Sequence, residues 1–432
     1  MKAEIPYGLD KKAFEITEKR LIGIFSPNDA KPIQDVEAEV VRSLENPIGL
    51  SSLASIIKRK RKVAIAVDDN TRITPVKSLL PPLIKLFDLR KDDVLIIIAL
   101  GTHRKMSDRE ILEKYGHELV EEYEIVNHAY DEQDQQKMVG KLPNGVPILA
   151  NRRFLNADVR ISIGNIIPHF TSGWSAGSKT LLPGLAGEET VGWMHYIGAV
   201  SQPNAVGEVE NSSRRVMDTF AKEVGISFIV NTVLNRSGRI VKVFSGDFVQ
   251  AHREGIRLSK KIYGINVPEK SAITVVSSYP ADIEFWQGQK GLYSADKMTK
   301  RGGGILLVTP CPEGISVTHK DWGDMLQYDS ETLTDMIEKG KIKDLTAASL
   351  ALCVAKTREP YDICVFSDGL SEEMSSKLHF RKVSSIEEGL EYLSRRLGAD
   401  SKVSVLTHGG DSYPIPTEED SLPIDTYNLA HK

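Results

Sequence analysis

The stretch VAIAVDDNTRITP (63–75), followed after one helical segment by DVLIIIALGTHR (93–104), decides the architecture. Each opens on an apolar run of strand length and ends in charged or ionisable residues. A run apolar at every position, not only at alternate ones, belongs to a strand covered on both faces, as in a parallel sheet. Between them VKSLLPPLIKLFDL (76–89) is long enough to be the crossover helix. The pattern recurs in DVRISIGN (158–165) and ISFIVNTVLN (226–235). A second series runs through AITVVSS (272–278), GGILLVTP (303–310), YDICVFS (361–367) and VSVLTHGG (403–410). SADKMTK (294–300), LTDMIEKGKI (333–342) and SIEEGLEYLSRRLG (385–398) supply helices between those strands.

The 432 residues are enough for two or three domains. The alternation of strands and helices predicts an α/β fold in two domains. A Rossmann-like N-terminal domain covers 1–265, and a smaller α/β C-terminal domain covers 266–410, with the active site in the cleft between them. The boundary is drawn in IRLSKKIYGINVPEK (256–270), where the pattern turns polar after a helix. The Pro- and acid-rich remainder, 411–432, is expected to wrap or trail.

A net charge of −4 leaves no basic face for a nucleic acid, and KRKRK (58–62) reads as a solvated turn leading into a strand. No run of about 18 apolar residues exists to span a membrane, and the N-terminus lacks the apolar core of a secretory signal. Cys311, Cys353 and Cys364 are odd in number and widely spaced, which suggests neither a disulfide framework nor a zinc site. The expectation is a cytoplasmic protein acting on a small molecule.

Polar residues cluster just after the predicted strands: Asp68, Asp69 and Arg72, then Thr102, His103 and Arg104, then Pro168 and His169. In open parallel sheets the ligand crevice lies outside the carboxyl ends of the strands, so these groups converge on one edge. The densest segment is GNIIPHFTSGWSAGSKTLLPGLAGEETVGWMH (164–195). GWSAGSKT (173–180) resembles a phosphate-binding loop, but Ser178 replaces its second glycine. GWSAG (173–177) has the spacing of a nucleophile elbow at Ser175, with Asp368 and His408 following in hydrolase order, yet the predicted strand ends well before Ser175. The third reading makes Lys179 an anchor for a bulky cofactor flanked by His169 and His195. His128 and His252 are taken as structural, and His408 has no assigned role.

Taken together, DDNTRITP (68–75), ALGTHR (99–104), the 164–195 segment, GDFVQAHREG (246–255) and WQGQK (286–290) resemble, in order, the motifs of the nickel-pincer-nucleotide lactate racemases and their homologues. The resemblance covers most of the chain. It implies a racemase or epimerase inverting the α-carbon of a 2-hydroxyacid through a transient 2-ketoacid. It also implies a nickel-pincer nucleotide joined covalently to Lys179, with nickel bound by His195. By the same resemblance His103 and His169 serve as acid and base on the hydroxyl. Arg72 and Lys290, with Gln287 and Trp286 beside them, hold the substrate. Asp69, Thr71, Gly173, Ser175 and Gly177 contact the cofactor, and cofactor-biosynthesis proteins are implied as partners. Two positions depart from the family pattern. Ala176 stands where a glycine is usual, and costs about 1 kcal/mol if its φ is positive. Trp286 stands where a tyrosine is usual, which points to a 2-hydroxyacid substrate other than lactate, such as a sugar acid or a dicarboxylate. The competing expectations are a hydrolase or phosphate-handling enzyme using the GWSAGSKT loop, and a non-catalytic binder of the cofactor or an organic acid.

Overall fold

The computed structural model describes residues 1–57, 62–142 and 145–417, so most of the KRKRK turn lies outside the described residues. Twelve strands form two six-stranded sheets. In chain order they are β1 (Leu21–Phe25), β2 (Val63–Asp68), β3 (Val94–Ala99), β4 (Glu124–Asn127), β5 (Val159–Asn165), β6 (Phe228–Leu234), β7 (Ile240–Gly246), β8 (Ser271–Ser277), β9 (Thr299–Val308), β10 (Asp362–Phe366), β11 (Arg381–Lys382) and β12 (Val403–Leu406).

The first sheet has the order β7-β6-β5-β2-β3-β4, parallel except for the antiparallel edge strand β7. This is the doubly wound arrangement, in which the chain leaves β2 first to one side and later to the other. The reversal opens a crevice between the carboxyl ends of β2 and β5. Val63, Ile65 and Val67 face one hydrophobic core while Ala64 and Ala66 face another, which explains the unbroken apolar run. The helix Val76–Leu86 follows as read, burying Leu79, Leu80, Leu83 and Ile84.

The second sheet has the order β11-β10-β9-β8-β12-β1 and is parallel throughout. Its last strand comes from the N-terminus, a difference from the sequence-based division at 265. The preceding hairpin, Lys2–Tyr7 with Asp10–Glu15, buries Ala3, Ile5, Tyr7 and Phe14 against Ile273, Val275 and Leu306. The start of the chain therefore packs on the second lobe. The expected turn-rich boundary is instead the helix Gln250–Tyr263 running into the strand Gly264–Val267. Tyr413–Pro416 pairs parallel to that strand, so the described part of the C-terminal segment wraps back on it.

The lobes meet where the helix Glu188–Ser201 crosses the helix Leu345–Arg358. At the crossing a Cβ on Gly192 would come within 3.0 Å of the Leu345 Cβ, so the approach depends on glycine. No helix among the described residues is long and apolar enough to cross a membrane.

Candidate active site

Asp69, Thr71 and Arg72 follow β2, and Thr102 and His103 follow β3. Beyond β5 the chain makes a two-stranded hairpin, Pro168–His169 against Gly173–Trp174, and a short 3-10 turn, Gly177–Thr180, before the helix that carries His195. Trp286, Gln287 and Lys290 enter from the second lobe. These elements form a cleft at the switch point, walled by Asp69, Thr71, Arg72, His103, His169, Ser175, Lys179, His195, Trp286, Gln287 and Lys290.

Inside it a hydrogen-bonded chain crosses from one lobe to the other. The Lys290 ammonium donates to Gln287 Oε1, which turns the Gln287 amide nitrogen toward His103 Nε2 at 3.0 Å. His103 Nδ1 lies 2.6 Å from Asp69 Oδ2. The bonding directions settle the tautomer: Nδ1 carries the proton given to Asp69, and the Nε2 lone pair faces the cleft as an acceptor. Burial opposes charge on Asp69, but His103, Arg72 and the Thr71 hydroxyl outweigh it and hold the carboxyl well below the ordinary range.

His169 has the opposite tautomer. The Thr171 backbone N–H, which can only donate, points at His169 Nδ1 at 3.3 Å, so the neutral ring carries its proton on Nε2. Burial first, then Lys179, Lys290 and Arg72, lowers its pKa and keeps it neutral. One cleft therefore presents one imidazole as acceptor and another as donor.

Three cations face the same space. Among the described residues none of Arg72, Lys179 and Lys290 has a carboxylate ion-pair partner; Asp68 is taken by Lys114 and Thr74. Among the described residues the Arg72 guanidinium hydrogen-bonds only to the carbonyl and hydroxyl of Thr71. Burial, with Arg72 and Arg214 nearby, lowers the Lys179 ammonium to about 7, so near neutrality a large fraction is free amine. His195 is lowered to about 3 by burial and by Lys179, and its Nδ1 is buried without a hydrogen-bond partner.

The nickel-pincer nucleotide implied by the motifs fits these residues. An amine of lowered pKa is a competent covalent anchor, and an unpartnered neutral imidazole is a competent metal ligand. Among the described residues no three His, Cys, Asp or Glu side chains converge to hold a metal. A metal here would therefore take most of its ligands from the cofactor.

The loop bearing Lys179 is held by residues the motif reading passed over. Arg214, fully buried, donates to the carbonyls of Ser172, Trp174 and Ala176 and to Ser178 Oγ. His252 Nε2 donates to the Ser175 carbonyl at 2.8 Å, so this histidine is structural as read. Gly173 and Gly177 stand behind the cleft wall rather than on it. Their positive φ angles and close packing account for them: a Cβ would meet the Glu208 carbonyl oxygen at 1.7 Å or the His252 ring at 2.8 Å. Ser175 reaches the wall, but its hydroxyl donates to the Asn165 carbonyl and accepts from the Ile167 N–H. Asp368 and His408 bond elsewhere, to Tyr7 and Thr407, so no triad forms on Ser175. Ala176 has φ 57° and ψ −162°, the glycine-like conformation anticipated for it.

Two further features had no legible signal, because each is made by residues distant in sequence. His319 Nδ1 lies 2.5 Å from Asp344, its Nε2 lies 2.9 Å from Thr102 Oγ1 across the lobes, and its ring stacks on Trp286 at 4.1 Å. Asn165, at the end of β5, is buried with neither amide atom hydrogen-bonded.

Residues 7–207 match the lactate racemase N-terminal domain, and residues 266–411 match the lactate racemase C-terminal domain. The chain belongs to the lactate racemase family. Within that family it is 29% identical over 416 residues to the lactate racemase of Thermoanaerobacterium thermosaccharolyticum, covering 94% of this chain and 97% of that one. It is also 29% identical over 380 residues to the lactate racemase of Lactiplantibacillus plantarum, covering 86% and 89%. The solved lactate racemase apoprotein from T. thermosaccharolyticum superposes with a TM-score of 0.87 at 28% identity, covering 96% of this chain and all of that one. A protein from Thermotoga maritima shares the fold, with a TM-score of 0.71 at 18% identity over 90% of this chain and all of that one. As a member of the lactate racemase family the protein is an isomerase of the racemase type.

Proposed function

We propose that the protein interconverts the two configurations at the α-carbon of a 2-hydroxyacid, using a nickel-pincer nucleotide anchored on Lys179. The observation that carries this reading is the pair of opposite tautomers on one cleft, His103 with an Nε2 lone pair that accepts from the Gln287 amide and His169 with an Nε2 proton. Inversion requires a hydroxyl proton to be taken and returned on either side of one carbon. With His103 as acceptor and His169 as donor, the cleft is set for one direction, and the exchanged protonation states serve the other. Asp69 stabilises the cation that His103 becomes when it takes the proton. Arg72 offers a planar fork to the substrate carboxylate, and Lys290 adds a second positive charge.

His195 and Lys179 would hold the cofactor, and Asp69, Thr71 and Ser175 lie along its side of the cleft. When bound, the group supplies reversible hydride acceptance from the α-carbon, chemistry that no side chain provides. Trp286, on the second lobe's side of the cleft, would help to keep water from the α-carbon. The reading brings cofactor-biosynthesis proteins with it as partners and a cytoplasmic setting. The hydrolase alternative lacks an activated nucleophile, because the Ser175 hydroxyl is engaged by backbone groups on both sides. A non-catalytic binder would have no use for two histidines in opposite tautomers.

Co-expression with a pincer-cofactor biosynthesis system, followed by intact-mass analysis, peptide mapping of 171–195 and nickel determination, tests the proposal. The expected outcome is an added mass on Lys179 with near-stoichiometric nickel, and neither in Lys179→Arg. Absence of the adduct where another lactate racemase is loaded would overturn it.

A further inference from the structure

The cleft does not end at the histidines. A second cavity of about 950 Å³ adjoins it, sharing Thr71, Arg72, His103, Asn165 and Gln287 as common walls. Two of its walls carry polar atoms for which the fold supplies no partner. Asn165, 1% exposed, has both amide atoms unpaired, and Asp411, 7% exposed, has Oδ1 unpaired.

We propose that this second cavity receives the substrate carbons beyond the reacting centre, and that Asn165 and Asp411 hydrogen-bond hydroxyl groups on them. The substrate is thus a polyhydroxylated 2-hydroxyacid of four or more carbons. This rests on the reading of the cleft as a 2-hydroxyacid site.

The surrounding chemistry separates this substrate from its rivals. A plain alkyl chain would leave the Asn165 amide and the Asp411 carboxyl buried and unpaired, which is costly. A distal carboxylate would meet Asp411, Glu284 and Glu313, all on this wall. The cation on the far side, Arg104, is already bound by Glu110 and Glu313. Lys290 lines only the first cleft, and Arg72, on the wall the two cavities share, is the cation that the first carboxylate needs. A hydroxyl both donates and accepts, which matches an amide and a carboxyl group. Burial raises the Asp411 carboxyl to about 8, against the pull of Lys290, so near neutrality it too can donate and accept.

The test uses the cofactor-loaded protein and three four-carbon acids that differ only beyond the α-carbon. They are D-erythronate, followed by its conversion to D-threonate, 2-hydroxybutyrate and malate, each read by chromatography that resolves the α-epimers. The expected kcat/KM for erythronate exceeds that of either other acid by at least about tenfold, since a site built to pair hydroxyls rejects analogues lacking them. Asn165→Leu and Asp411→Leu should each shrink that ratio by about tenfold, while Asp411→Asn, which still donates and accepts, retains most of it. Turnover of 2-hydroxybutyrate or malate at an equal or higher kcat/KM would overturn the inference and leave the racemase reading standing. An unchanged ratio in both leucine variants would do the same. No turnover of any of the three acids by protein carrying the Lys179 adduct would overturn both readings.

Discussion

Ala176 occupies backbone space that belongs to glycine, and its methyl sits over Gly164, whose own Cβ would come within 3.1 Å of it. The strain at such a position is about 1–3 kcal/mol, more than glycine's extra chain entropy costs. Ala176→Gly is expected to raise the unfolding free energy by about 1 kcal/mol, measured by denaturant titration; a loss of stability would show that packing of the methyl dominates. The local motif was enough to raise this question. The answer needed the φ angle. The same division holds for His103: the sequence put it after a strand beside other polar groups, but only the Asp69 and Gln287 contacts assign its proton.

At the scale of elements, the Lys179 loop has little regular structure of its own, a two-residue hairpin strand and one 3-10 turn. Its shape is imposed by the helix Ser212–Glu223, which brings Arg214, and the helix Gln250–Tyr263, which brings His252. Burial lowers the Arg214 guanidinium to about 10, still charged near neutrality, with Asp218 the largest favourable carboxylate influence. Arg214→Met removes one charge and leaves three carbonyls without their donor. It should cost about 3 kcal/mol of stability. Limited proteolysis is expected to cut first within 171–180. Cleavage elsewhere at an unchanged midpoint of unfolding would contradict that role. The GDFVQAHREG motif thereby acquires a physical function, since its histidine and arginine brace the loop: Arg253 bonds Asp218, which accepts from Ser178.

Across the whole molecule, buried neutral histidines tie stability to pH. His128 donates from Nε2 to the Ala186 carbonyl and accepts at Nδ1 from Asn151, and burial lowers its pKa from 6.5 to about 4. His408 is lowered to about 4 as well, by burial and Arg236. Because the folded pKa lies below the unfolded one, the unfolded chain binds more protons between the two values. The stabilisation is therefore full above about pH 6.5 and lost as pH falls toward 4, by about 3 kcal/mol for a 2.5-unit shift. Asp411 works in the opposite sense: its raised pKa favours the folded state at low pH, and that contribution is lost as pH rises through about 8. Unfolding titrations at pH 7 and 4.5 should show a net loss at the lower value, and His128→Gln should reduce it. An identical pH slope in that variant would remove His128 as a cause. The lobes are joined by the Thr102–His319–Asp344 chain and by Arg104–Glu313, so the cleft geometry is a property of both together.

Apolar runs, their spacing and the residues after them determined the α/β class, the parallel strands and the sheet edge at which the cleft lies. These are consequences of local periodicity and of the twofold burial of parallel strands. Asp69, Arg72, His103, His169, Lys179, His195, Gln287 and Lys290 were legible because they stand in motifs, and the fold brings them to one cleft. The tertiary structure alone decided what depends on long-range proximity. It assigned the first strand to the second lobe by pairing Leu21–Phe25 with Val403–Leu406, nearly the whole chain apart. It gave Gly173 and Gly177 a packing role, set the two histidine tautomers through Asp69 and the Thr171 N–H, and left the Asn165 amide and Asp411 Oδ1 unpaired beside the adjoining cavity. A sequence records which groups are present, whereas hydrogen-bond direction and burial are relations between segments that meet only after folding.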